Sequence, residues 1–152
     1  MKLYNSHIFR SLAAALFLSA TSSQAHDFSV GDLTINHPWA RSTAPAAQTG
    51  VVYFNIKNAA AEGDTLLSVT VGKSIAKRAS LHEMSMDAKG LMRMGELKAG
   101  LAVAGKTEVK FAPGGKHVML EGLTKPLVAK QEFGMTMRFA KAGAVSTIVI
   151  VE

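Results

Sequence analysis

Val52-Tyr53-Phe54-Asn55-Ile56-Lys57 is the stretch that decides the fold, because its core-type residues recur at every second position. Val52, Phe54 and Ile56 share one face of an extended chain, and the polar residues Asn55 and Lys57 share the other. The same period of two recurs in two further segments, residues 108–111 and 133–139. The pattern therefore predicts half-buried β-strands, and no segment favours a helix longer than a turn or two.

Other segments extend this prediction to the whole chain. Residues 145–151 form a nearly continuous β-branched run, which is typical of an interior strand. Turn-forming residues separate the candidate strands at 58–63, 87–90, 113–115 and 141–143. Many short strands at regular spacing predict an antiparallel β-sandwich or barrel. Pro38 and Pro45 interrupt the segment before residue 49, so we expect only a short strand at 33–35, along the sandwich edge.

The N-terminal segment has the pattern of an export signal. Lys2 and Arg10 precede an apolar run at 12–20, and Ser23-Gln24-Ala25 supplies small residues for cleavage. We therefore expect residues 1–25 to be removed and residues 26–152 to form one periplasmic domain without membrane insertion. Losing Lys2 and Arg10 lowers the formal charge from +6 to +4. The remaining basic residues form no run, so nucleic-acid binding is not expected.

Histidine and methionine gather in two short segments, residues 81–94 and 117–119, in a chain of 152 residues without cysteine. Imidazole nitrogen beside thioether sulfur is a ligand set that suits Cu(I). Outside the cytoplasm thiol pairs oxidise to disulfides, which would destroy a thiolate site, whereas a thioether does not react in that way. The two segments therefore point to copper handling in an oxidising compartment.

Alternation along the strands predicts which of these side chains meet. If residues 87–89 form a three-residue hairpin loop, His82 lies opposite Met94 and Met84 lies opposite Met92. A slip of one residue would place Met94 on the face opposite His82. His117 and Met119 project to one side of their own strand. His82, Met94, His117 and Met119 would together offer two nitrogens and two sulfurs, a set that favours Cu(I) over calcium, magnesium or structural zinc.

Several of the candidates have a plainer interpretation. A single His-x-Met on a strand is usually core packing, and Met135 and Met137 continue the apolar face of their strand, so we assign them to the core. His37 is assigned a structural role. His26 would start the mature chain, where its α-amino group and imidazole offer a second, Cu(II) site, although a terminus without a metal role is the preferred interpretation. Three methionines stay open between auxiliary copper contact, a docking lip and ordinary packing: Met84, Met86 and Met92.

These residues resemble the signature of the periplasmic copper chaperone family PCu(A)C, written H(M)x10Mx21HxM. His82 matches its first histidine, Met94 follows twelve residues later, and His117-Val118-Met119 matches its final HxM. Residues 31–41, 50–58 and 113–120 resemble the family as well. The chain departs from the signature at Glu83, where a methionine can follow the first histidine, and in having 22 residues rather than 21 between Met94 and His117.

The resemblance implies a cupredoxin-like antiparallel Greek-key β-sandwich or barrel, and we expect the protein to be a monomer. It further implies that the protein binds Cu(I) and delivers it towards the CuA centre of cytochrome c oxidase subunit II, alongside a Sco-type protein. Copper buffering or resistance is the alternative. A small copper oxidoreductase is less favoured, because the sequence has no acid–base or nucleophile motif and no His-His-Cys set. A metal-free sandwich that binds protein is a third class, and no enzymatic activity is expected.

Overall fold

A computed structural model describes residues 27–152, so the expected signal at 1–25 and His26 lie outside the described residues. Within this range the chain forms strands and no helix, which confirms the all-β prediction. No helix long and apolar enough to cross a membrane occurs in residues 27–152. The strands are β1 (Phe28–Val30), β2 (Leu33–Ala40), β3 (Thr49–Asn58), β4 (Asp64–Val71), β5 (Ala76–Met86), β6 (Met92–Glu96), β7 (Leu101–Val103), β8 (Glu108–Phe111), β9 (Lys116–Leu123), β10 (Glu132–Phe139) and β11 (Gly143–Val151).

The strands hydrogen-bond into one curled sheet, in the order β6-β5-β9-β8-β3-β2-β11-β10-β4-β7. Strand β1 pairs with β2, and β9 also pairs with β3. Most neighbours are antiparallel, as predicted, but β11 runs parallel to β2 and β8 runs parallel to β9, so the sheet is mixed. Strand β5 is placed between β9 and β6, and this three-strand group carries the predicted metal ligands.

The core follows the period of two that the sequence predicts. Val52, Phe54 and Ile56 of β3 are almost fully buried, and Phe54 stacks on Phe111 of β8 at a centroid distance of 4.1 Å. Met135 and Met137 of β10 are also buried in the main apolar cluster, which confirms their assignment to the core. The curled sheet therefore closes its main apolar core around residues of one face.

The prediction for the segment before residue 49 was wrong in both length and position. Strand β2 has eight residues rather than three, and it lies between β3 and β11 rather than at an edge. Its pairing with β3 shifts register between Asn36 and Trp39, and His37 adopts a φ of 48° there. This bulge accommodates Pro38, which has no N–H to donate to a ladder, so the strand continues through the proline.

Candidate metal centre

His82 and His117 lie directly opposite each other on the neighbouring strands β5 and β9. Their rings stack with centroids 5.8 Å apart and an interplanar angle of 21°. The adjacent residues Leu81 and Val118, also opposite each other, belong to the apolar core. Because side chains alternate along a strand, both imidazoles are on the face turned away from the core. The two histidines from distant parts of the sequence are thus brought together.

Both imidazoles are buried although they face away from the core, with 8% exposure for His82 and 7% for His117. The β3–β9 register sets Val52 opposite Val118, so Tyr53, the next residue of β3, is on the same side of the sheet as His117. Tyr53 is itself buried and contacts Trp39, with ring centroids 4.8 Å apart. Aromatic packing on neighbouring strands therefore covers part of the face that carries the histidine pair.

Each imidazole has one ring nitrogen with a hydrogen-bond partner. Nδ1 of His117 lies 3.1 Å from the carbonyl oxygen of Gly115, so Nδ1–H donates and the Nε2 lone pair is left for a ligand. Nε2 of His82 lies 3.0 Å from the Ser80 hydroxyl, while Nδ1 of His82 is buried without a hydrogen-bond partner. A buried nitrogen without a partner is costly. A metal ion bound there would use its lone pair, so the donor set fits a metal.

The protonation of His82 also favours metal binding. Its pKa is lowered, chiefly because burial disfavours the imidazolium and secondly because of His117, while Glu96 and Glu121 oppose the shift. Arg78 adds a further lowering contribution. The neutral imidazole is the form that binds a metal. His82 therefore stays neutral, and able to bind a metal, at a lower pH than an exposed histidine would.

Met119 lies on the predicted face of its strand. Met94 also lies on the predicted face, but its partner across the hairpin is not the predicted one. Met119 is half-buried on the same face of β9 as His117 and lies opposite Ser80. Met94 lies opposite Met84 rather than opposite His82, whose partner on β6 is Glu96. The predicted hairpin register was therefore wrong by two residues. Because a shift of two preserves the face, Met94 remains on the side of His82, at the diagonal position that a long side chain can span.

The loop explains the shifted register. It has five residues, Asp87 to Leu91, rather than three, because Asp87 Oδ1 accepts hydrogen bonds from the backbone N–H groups of Lys89 and Leu91, at 2.9 and 3.0 Å. Gly90 supplies a φ of 77°, which a side chain would strain. Asp87 also binds Arg93 Nε at 2.7 Å. The first directly opposed pair is consequently Met86 and Met92.

Sequence reasoning missed the polar network beside His82. The Ser80 hydroxyl reaches Glu121 Oε2 at 3.5 Å, and Arg78 binds Glu121 at 2.6 Å and also Glu96. Ser80 stands two residues before His82, so alternation alone would have indicated a shared face. The pairing with Glu121 depends on the β5–β9 register, which no local pattern reveals.

Glu83, the departure from the signature, lies on the other face of β5. It forms an ion pair with Lys116 at 2.6 Å. In residues 27–152 no three His, Cys, Asp or Glu side chains gather as a metal cluster. Methionine sulfurs on the same face are the further donors that the sequence predicts for an ion at His82 and His117. Which side chains coordinate it stays a prediction.

Comparison with solved structures finds proteins of similar architecture. The mixed all-β sheet superposes on the apo PCuAC domain from PmoF1 with a TM-score of 0.69 and 28% identity, covering 84% of this chain and 98% of that domain. The copper-bound PCuAC domain from PmoF2 gives a TM-score of 0.68 and 26% identity, covering 84% of this chain and 97% of that domain. The fold class is thus that of the cupredoxin-like PCuAC domains, as predicted.

Family membership follows from the sequence match. Residues 33–151 match the family described as "Putative lipoprotein LpqE-like", and the chain belongs to this LpqE-like family. "Putative lipoprotein Lxx21020" of Leifsonia xyli subsp. xyli (strain CTCB07) is 35% identical over 86 residues, which are 57% of this chain and 51% of that protein. The chain spans about half the length of this curated relative.

Proposed function

We propose that this protein is an exported copper chaperone that carries Cu(I) as cargo on His82, Met94, His117 and Met119. The observation that supports it best is the buried, stacked imidazole pair, in which Nδ1 of His82 has no hydrogen-bond partner. Thioethers on the same face supply the soft donors that Cu(I) prefers. The copper-bound PCuAC neighbour adds support from a protein of similar fold.

The proposed cycle is ligand exchange and needs no catalytic group. His117 would bind through Nε2, because its Nδ1–H is held by the Gly115 carbonyl. His82 would bind through Nδ1, with Nε2–H donated to Ser80. An imidazole binds a metal in its neutral form, and a thioether carries no proton to lose, so the exchange of these ligands around Cu(I) involves no change of oxidation state. The protein therefore acts as a carrier and not as an enzyme.

We further propose that the carrier is monomeric and periplasmic, and that it delivers copper towards the CuA centre of cytochrome c oxidase subunit II with a Sco-type protein. The resemblance to the PCu(A)C signature and the lipoprotein name of the matched family support export and delivery. A Cu(II) site at His26 stays the less favoured alternative to a terminus without a metal role.

An anaerobic Cu(I) titration of the exported protein against a chromophoric chelator tests the site. We expect one equivalent that resists competition, and its loss in the His117→Ala, Met119→Ala double variant. His37→Asn is the matched control, because it removes an exposed imidazole and asparagine tolerates the positive φ at that position. Retention of the tight equivalent in the double variant, or its loss in the control, would contradict the site.

Transfer is tested separately from binding. The Cu(I)-loaded protein is mixed with the copper-free soluble domain of oxidase subunit II, and copper is measured on both after separation. Movement of copper to the oxidase domain supports delivery. Full retention by the carrier would instead favour the buffering alternative.

A further inference from the structure

The β5–β6 hairpin carries four methionines on a single face, in two directly opposed pairs. Met84 lies opposite Met94, and Met86 lies opposite Met92. Side chains opposite each other in an antiparallel pair have Cβ atoms about 4.5–5.5 Å apart, and each flexible methionine can also reach the next pair. Sulfur atoms from both pairs can therefore converge on one ion.

This methionine ladder extends from the histidine pair into solvent. Met84 is half-buried, whereas the exposed fractions are 49% for Met94, 51% for Met92 and 67% for Met86. Strand β9 pairs with β5 only as far as Glu83, so the outer pair lies on a two-stranded ribbon beyond β9. The ladder thus leads outward from the imidazoles to the tip of the hairpin.

The residue type at these positions favours a metal site over simple apolar contact. All four positions of the two opposed pairs are methionine. None of them is Leu, Ile, Val or Phe, although these residues would serve an apolar contact equally well. The other face of the ribbon carries Glu83, Ser85, Arg93 and Gly95. Thioether sulfur is what the four positions share, and sulfur is a ligand for soft cations.

The hairpin is held in place before any ion binds. Asp87 accepts two backbone hydrogen bonds across the loop and binds Arg93 Nε at 2.7 Å. At the base of the ribbon, Glu83 and Lys116 join β5 to β9 at 2.6 Å. The Asp87 contacts hold the β5–β6 hairpin and the Glu83–Lys116 ion pair holds β5 against β9, so little ordering of the backbone is needed when sulfur atoms close around an ion.

We propose that Met84, Met86 and Met92, with Met94 shared between sites, form a second, thioether-only site for Cu(I) that loads the histidine site. The proposal rests on the proposed function, because it assigns the ladder to the same cargo. Copper stays monovalent throughout. A sulfur of Met86 or Met92 leaves the ion as an imidazole nitrogen of His82 or His117 binds it, and no proton or electron is transferred.

The test is a Cu(I) titration under anaerobic conditions, with 13C-labelled methionine methyl groups observed by NMR. In the unaltered protein we expect a tight equivalent followed by a weaker one that shifts the Met86 and Met92 methyl signals. Met86→Leu, Met92→Leu conserves volume at exposed positions, so folding should be unaffected. We expect it to weaken the second equivalent at least about tenfold, as loss of metal-site partners typically does, and to leave the tight one in place.

Leu91→Ala is the matched control, because Leu91 is 56% exposed at the same tip and has no sulfur. An unchanged second equivalent in this control supports a metal site. A loss equal to that in the methionine variant would show that any change at the hairpin tip weakens Cu(I) binding, so that sulfur is not the cause, and would overturn the proposal. A second equivalent that is absent from the unaltered protein, or that survives in the Met86→Leu, Met92→Leu variant, would also overturn it.

A second variant in the same Cu(I) titration distinguishes failure of the proposed chaperone site from failure of the methionine site. His82→Ala, His117→Ala removes the imidazole pair and is expected to abolish the tight equivalent while the weaker one persists at Met86 and Met92. If no tight equivalent depends on the histidines, the chaperone site fails, even where the ladder still binds Cu(I). Because the His82 and His117 side chains are buried, circular dichroism of this variant establishes first that it folds.

Discussion

Replacing Ser80 by alanine tests whether His82 is positioned for a metal. Ser80 provides the only hydrogen-bond partner of the His82 ring among residues 27–152, 3.0 Å from Nε2, while Nδ1 has none. Without the hydroxyl, the imidazole would be buried with both nitrogens unpartnered. Leaving one buried polar group without a partner costs about 1–3 kcal/mol, so we expect the metal-free protein to lose stability by this amount.

The same change should weaken copper binding. A residue that holds the second nitrogen of a metal-binding imidazole fixes the tautomer and the ring orientation, and its removal typically lowers metal affinity about 10–100-fold. That loss is equivalent to about 1.4–2.8 kcal/mol of binding free energy. Urea denaturation of the metal-free protein measures the first effect, and chelator competition for Cu(I) measures the second.

Two variants separate positioning from general damage. Ser80→Thr keeps a hydroxyl group and should restore most of the copper affinity. Ser85→Ala removes a hydroxyl from the same strand at an exposed position on the opposite face, so neither quantity should change. If Ser80→Ala binds Cu(I) as tightly as the unaltered protein and unfolds at the same urea concentration, Ser80 does not position His82 and the assigned tautomer is wrong.

Three further predictions concern pH, the loop and the signature. Burial lowers the pKa of His82, so as pH falls below about 6.5 the histidine is protonated in the unfolded chain before it is protonated in the folded protein. The free energy of unfolding should therefore decrease there by at most about 1.4 kcal/mol per pH unit. Urea denaturation with and without His82→Gln measures this contribution, and the same dependence of the unfolding free energy on pH in both proteins would contradict it. Gly90→Ala should destabilise the protein by about 1–2 kcal/mol through backbone strain alone, because φ is 77° there and an added Cβ would meet no atom within 4 Å. Gly95→Ala should have no such cost, because its Cβ would be equally free of contacts and its φ is not positive. Thermal melts compare the two variants. Glu83→Gln should leave Cu(I) affinity unchanged in the chelator competition, because Glu83 faces away from His82 and pairs with Lys116, and a large loss would place Glu83 in the site.

Local patterns in the sequence were sufficient for strands and faces. The alternation around Phe54 and Met135 places both in the core, because burial on one side of a pleated strand imposes a period of two. The same rule puts His82 and Met94 on a common face even though their predicted pairing was wrong. A face depends only on parity, and the register error of two residues preserved it.

Long-range pairing is what the sequence left undetermined. The Asp87 side chain accepts hydrogen bonds from the backbone N–H groups of Lys89 and Leu91 and so lengthens the hairpin loop. The spacing of residues in the sequence does not predict this. Strand β2 passes through Pro38 because a bulge opposite β3 absorbs the proline, which depends on a partner strand remote in sequence. The contact of His82 with His117 likewise depends on β5 meeting β9 in one particular register.

The distribution of burial across the site bears on how copper would leave it. The two imidazoles are 8% and 7% exposed and each has a hydrogen-bonded ring nitrogen, so in the proposed site they would be the less mobile ligands. Met94 is 49% exposed on a flexible side chain, so an incoming donor from a partner protein would displace its sulfur before either imidazole. In the proposed cycle, exchange would then begin at the solvent side while both imidazole nitrogens still held the ion. Buried nitrogen combined with exposed sulfur is therefore the arrangement expected of the proposed carrier, which would keep Cu(I) until it contacts a recipient.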